Sequence, residues 1–206
     1  MSTAVFQEYK FIGHLERLVK EQERGALAAL RRGLGKPPGT AREMDRHVLP
    51  YVPSESGLPT SVREKQENAY YLVGALFAFW YQGKIDLAGN PPKNLGASLH
   101  ALVEQEVKNG AERDKAEDRT EKRLVALLNC HRDDLPDHLR HVISLLKAKD
   151  VPIDWPQLLN DVQNWQRESR DVQRAWARWF WREIRTKENE TGNSEHQPEN
   201  EGKKEE

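Results

Sequence analysis

His138 and His141 stand three residues apart, with His131 and Asp134 just upstream, a spacing that sets two imidazoles on one helical face near a third. A metal could use such groups, but a working site needs three or four converging ligands, and a surface or partly buried histidine pair is the better account. The single cysteine, Cys130, has no evident base beside it and reads as a small core residue, not a nucleophile. No phosphate-cradling glycine loop, HExxH or paired-cysteine site occurs, so neither catalysis nor a bound cofactor or metal is expected.

The basic residues form a clearer pattern. Residues 26–36 read ALAALRRGLGK, with Arg31 and Arg32 closing a short apolar helix and glycine following at once. Cations in a last turn complement the helix dipole and glycine stops a helix, so capping alone explains the pair. Yet no acid lies between Glu23 and Glu43, and Arg31, one residue past Leu30, is turned about 100° from the apolar stripe toward solvent. A guanidinium so placed suits a phosphate. Other cations on polar helix faces near helix ends are Arg63 and Lys65; Arg119, Lys122 and Arg123; Arg132; Arg140; Lys147 and Lys149. Arg167, Arg170 and Arg174 lie among Glu168 and Asp171 and read as a solvated, neutralised surface.

Helices must position these groups. Phe11, Ile12, Leu15, Leu18 and Val19 give a helix over about 4–22, and Leu27, Leu30 and Leu34 stripe the next. Thr40 with Glu43, and Ser61 with Glu64, have capping-box spacing, the second opening a long helix through Leu72, Leu76 and Trp80. Leu95, Leu99, Leu102 and Val103 mark another. Beyond residue 118 come helices on Leu124, Leu127 and Leu128; on Leu139, Val142, Ile143 and Leu146; on Trp155, Leu158, Leu159 and Trp165, capped by Asp154; and one from about Ser169 carrying Trp176, Trp179 and Phe180 with Trp181 turned away. Trp80, Trp165, Trp176 and Trp179 extend apolar stripes, which makes them core residues before base-stacking platforms. Nothing alternates with period two. The expected fold is all-α, two helical bundles joined by a polar linker: residues 1–108, a linker or flexible loop at 109–118 (NGAERDKAED), and 119–186.

The 32 basic and 33 acidic residues nearly cancel, but the segment 187–206 holds three lysines and seven glutamates. It is expected to be a disordered acidic tail of about −4, leaving a body near +3. No window approaches the roughly 20 apolar residues of a membrane span, the start has no basic-then-apolar leader, and one cysteine makes no internal disulfide. A cytoplasmic protein without membrane partners fits.

The block IDWPQLLNDVQNW at 153–165, preceded by RLVALLNCHRDDLPDHLRHVISLLK at 123–147, NLGASLHAL at 94–102 and ALRRG at 29–33, resembles the CasB family, the small subunit of the type I-E CRISPR surveillance complex Cascade. The likeness spans about residues 6–186. It implies an all-α, non-enzymatic protein of two bundles, present as two copies beside other Cascade subunits. It also implies contacts to the backbones of guide RNA and target DNA that help keep the displaced strand from reannealing. Arg31 and Arg32 stand where the family carries basic residues, and Arg63, Arg119, Arg123, Arg132 and Arg140 lie in matching segments. Three readings follow: a nucleic-acid scaffold, a helical adaptor without nucleic-acid contact, and, weakest, a metal-dependent enzyme on His131, His138 and His141.

Overall fold

In a computed structural model the structure describes residues 3–192 apart from 38, 54–58 and 84–88, with side chains from 7 to 181. It is all-α, and no strand occurs among the described residues. Helix α1 (Thr3–Lys20) and helix α2 (Arg24–Arg32) are followed by short turns of 3-10 helix on either side of α3 (Asp45–Val48). Then come α4 (Thr60–Trp80), α5 (Leu95–Lys108), α6 (Arg113–Asn129), α7 (Leu135–Ala148), α8 (Trp155–Gln163) and α9 (Asp171–Gly192).

The helices group in space differently from the expected split at 109–118. One group packs α1, α2 and α8 around α4; the other packs α5, α6, α7 and α9, with α7 also against α4. Thus α5, from the first half of the chain, lies on α9, and α8, from the second half, lies on α1 and α4. The buried apolar residues of both groups make one continuous core. Each helix covers its stripe with whatever face fits, regardless of chain order. For α5 and α9 the fit depends on Gly96, where any Cβ would run into the backbone carbonyl of Trp176.

Residues 113–118, expected in the linker, form the start of α6, and only 109–112 connect it to α5. Ala116 and Thr120 are buried there, and Arg113 bridges Glu104 on α5 and Glu117 at 2.9 and 3.0 Å. These contacts give a polar sequence a face to dock. Helix α9 likewise runs past Lys187 to Gly192, into the segment expected as tail; residues 193–206 lie outside the described residues.

Asp154 caps α8, accepting from the Gln157 backbone N–H at 2.9 Å. The other two expected caps are not used. Thr40 donates instead to the Pro37 carbonyl, and α4 starts behind Pro59 with no side-chain cap. Trp80, Trp165 and Trp176 are core residues, as is Trp155, which packs edge-on against Phe77 and Trp80. Trp179 is the exception: it is half-buried beneath Lys93, whose ammonium lies 4.8 Å from the ring centroid.

Candidate nucleic-acid interface

Arg31 and Arg32 end α2, where Gly33 is the C-cap in right-handed backbone and the left-handed turn comes at Gly35. Arg31 is half-exposed and makes no ion pair with a described residue. Arg32 is bound to Glu43, which the turn Arg42–Met44 carries back onto α2. The absence of nearby acid in sequence therefore holds for Arg31 in space and fails for Arg32, because packing closes a gap that chain separation leaves open.

Three further expected cations are tied to the fold. Lys147 donates to the Phe79 carbonyl at 2.6 Å with its ammonium 4.6 Å from that ring, so it finishes the end of α4. Arg119 is paired at 3.0 Å with Glu106 on α5, and Arg123 donates to the Arg119 carbonyl at 2.9 Å. Arg63, Lys65 and Arg140 are exposed side chains without an ion pair among the described residues.

Arg132 is the cation around which others gather. It is half-buried just before α7, and it donates to the Gln166 side chain at 3.0 Å and to the Lys65 carbonyl at 3.3 Å. Burial lowers its pKa while Asp133 opposes, and an arginine so perturbed still carries its charge. These bonds join the end of α8 to the start of α4 and fix the guanidinium in place.

Beside it lies an open depression of about 430 Å³ lined by His131, Arg132, Arg167 and Arg170 together with Cys130 and Gln173, with His131 paired to Asp133 at 3.3 Å. Arg170, at a left-handed φ of 50°, donates to the Leu128 carbonyl at 2.6 Å, which anchors it across from α6. Arg167 is exposed and without an ion pair among the described residues. Of the two acids expected to neutralise this stretch, Asp171 accepts from Ser169 at 2.6 Å and pairs with Arg174 at 2.9 Å, and Glu168 makes no ion pair among the described residues. The sequence shows the acids next to the arginines but not which arginine each one takes, so Arg167 and Arg170 were missed as candidates.

The histidines do not converge. His138 and His141 line a second depression, about 580 Å³, with Arg123 between α6 and α7, while His131 lies in the Arg132 depression. No group of three His, Cys, Asp or Glu side chains able to hold a metal occurs among the described residues. Cys130 is half-buried after α6, where burial raises its thiol pKa, the opposite of what a nucleophile needs. No helix among the described residues is long and apolar enough to cross a membrane.

Two interlocked helical groups, with Arg132, Arg167 and Arg170 around a depression, define an all-α protein with a local cluster of arginines. Residues 26–181 match the family described as CRISPR-associated protein Cse2, and the chain belongs to that family. It is 28% identical over 173 residues to CRISPR-associated protein Cse2 of Thermus thermophilus, covering 84% of this chain and 88% of the relative. A chain in a solved CRISPR RNA-guided surveillance complex superposes with a TM-score of 0.72 at 28% identity, covering 91% of this chain and 99% of that one. The crystal structure of CasB from Thermus thermophilus superposes with a TM-score of 0.63 at 29% identity, covering 88% and 99%.

Proposed function

We propose that this chain is the non-catalytic small subunit of a Cascade-type, RNA-guided CRISPR surveillance complex in the cytoplasm. Two copies sit beside the other subunits and hold the backbones of guide RNA, target DNA and displaced DNA strand. The observation that carries the reading is the gathering of Arg132, Arg167 and Arg170 around one open depression, with Arg167 free of any ion pair among the described residues. The likeness to a chain of a CRISPR RNA-guided surveillance complex supports it. The reading adds Arg31, Arg63, Lys65 and Arg140, which make no ion pair among the described residues, as further backbone contacts; Arg32 would contribute on leaving Glu43, and Arg119 and Arg123 have partners of their own.

The mechanism is electrostatic. Guide pairing reads sequence, and exchanging a DNA duplex for a guide heteroduplex is nearly balanced in free energy. A few phosphate contacts on the product strands then shift the exchange toward the open state. Such contacts make affinity fall by roughly 0.7 log units per log unit of salt for each single-strand phosphate neutralised.

The test is binding of single- and double-stranded DNA across a salt series by the wild type, Arg31→Glu/Arg32→Glu and Arg167→Glu. A salt slope that flattens in each variant, with an unchanged melting temperature, is the expected result. Equal slopes would remove these residues from the interface. A second reading, a helical adaptor without nucleic-acid contact, is favoured by the near-neutral total charge and by the occupied state of Arg32, Arg119 and Lys147. A nucleic-acid crosslink on this chain within the assembled complex rules it out.

A further inference from the structure

A groove of about 440 Å³ runs between the loop after α2, the middle of α4 and the start of α7. Its size falls within the roughly 300–1,000 Å³ of small-molecule sites. Leu72, Leu135, Pro136 and Val162 give it apolar walls, and Asn68 and Asp137 line it as well. Asn68 and Asp137 are exposed and neither bonds to another described residue, while Asp133, which also lines the groove, pairs with His131 at 3.3 Å. Arg132 lines this groove and the arginine depression alike, so the two concavities share a wall.

From this shared wall we infer that the groove receives an unstacked nucleobase of the same strand whose phosphate rests on Arg132, Arg167 and Arg170. The inference rests on the nucleic-acid reading above and carries it from backbone to base. A nucleotide joins one polyanionic group to one flat, largely apolar ring, and the two concavities offer those two environments side by side. The Asp133 and Asp137 carboxylates oppose a phosphate inside the groove, and Asp137 can accept N–H donors from a base edge, while the Asn68 amide both donates and accepts. Guanine, whose adjacent N1–H and N2–H can meet both oxygens of one carboxylate, is the best match. Apolar walls around the ring offset the loss of stacking, as in other proteins that splay bases out of single strands.

The experiment compares a guanine-containing single strand with the same backbone made abasic, at fixed low salt, using the full chain. The wild type should prefer the base-containing strand by roughly tenfold, in keeping with the worth of one buried base. Leu72→Trp, which fills the groove, should bring the two affinities together while leaving the salt slope of the wild type unchanged. Asp137→Asn, on an exposed side chain and therefore safe for folding, should erase the preference for guanine over uracil. Equal wild-type affinities for both strands, with a normal salt slope, would overturn the base site and leave the phosphate reading standing. No binding of either strand at any salt would remove the nucleic-acid reading itself and this inference with it.

Discussion

The indole Nε1 of Trp176 on α9 donates to the carboxylate of Asp161 on α8 at 2.6 Å, and this buried bond ties the two helical groups together. Asp161 also accepts from Gln157 at 2.8 Å, and Glu8 on α1, equally buried, accepts from Gln163 at 2.7 Å. Burial raises the pKa of both carboxyls, that of Asp161 to about 6.

A carboxyl whose folded pKa lies above its unfolded value stabilises fully below the unfolded pKa and loses that contribution as pH rises through the folded one. Asp161 should therefore cost the protein stability between about pH 4 and pH 6, on the order of 2–3 kcal/mol. Melting curves from pH 4 to 8 should show Asp161→Asn gaining on the wild type as pH rises. A constant difference would mean that Asp161 does not titrate in this window.

Gly96 and Gly13 make a matched pair for helix packing. Gly96→Ala pushes a methyl into the Trp176 carbonyl and should cost about 1–3 kcal/mol by forcing α5 and α9 apart. Gly13→Ala, at an exposed position of α1 with nothing within 4 Å, should instead stabilise by roughly 0.5–1 kcal/mol. Denaturant titrations of the two variants give opposite signs if this packing is correct.

Lys147 and Arg140 separate structural from available charge. Lys147→Met strips the Phe79 carbonyl of its donor and should destabilise by about 1–2 kcal/mol without changing the salt dependence of DNA binding. Arg140→Ala should leave the melting temperature unchanged and lower the salt slope. Parallel melts and binding titrations would show the two roles exchanged if Lys147 faces the strand.

Glu43 holds Arg32, and under the proposed function a phosphate has to displace it. Glu43→Gln should tighten single-strand binding by a few fold at low salt, with stability unchanged because exposed ion pairs contribute little. Unchanged affinity would leave Arg32 outside the interface.

The sequence alone determined the helices, because a 3.6-residue apolar period is a local property that survives without knowledge of neighbours. The stripes through Leu15, Leu76, Leu99, Leu146 and Leu159 all reach the core, and the Asp154 cap, a contact three residues long, was equally legible. The resemblance carried by IDWPQLLNDVQNW pointed to the family the chain belongs to. Tertiary structure alone decided which helices pair and which charges remain available. The crossing of α5 to α9 and of α8 to α1 turns on close fits such as Gly96 under Trp176, which no periodicity encodes. Likewise Glu43 reaches Arg32, Glu106 reaches Arg119 and the Phe79 carbonyl reaches Lys147 across 11, 13 and 68 positions. Coulombic and hydrogen-bond partners are chosen by distance in space, and only the fold brings these residues within it.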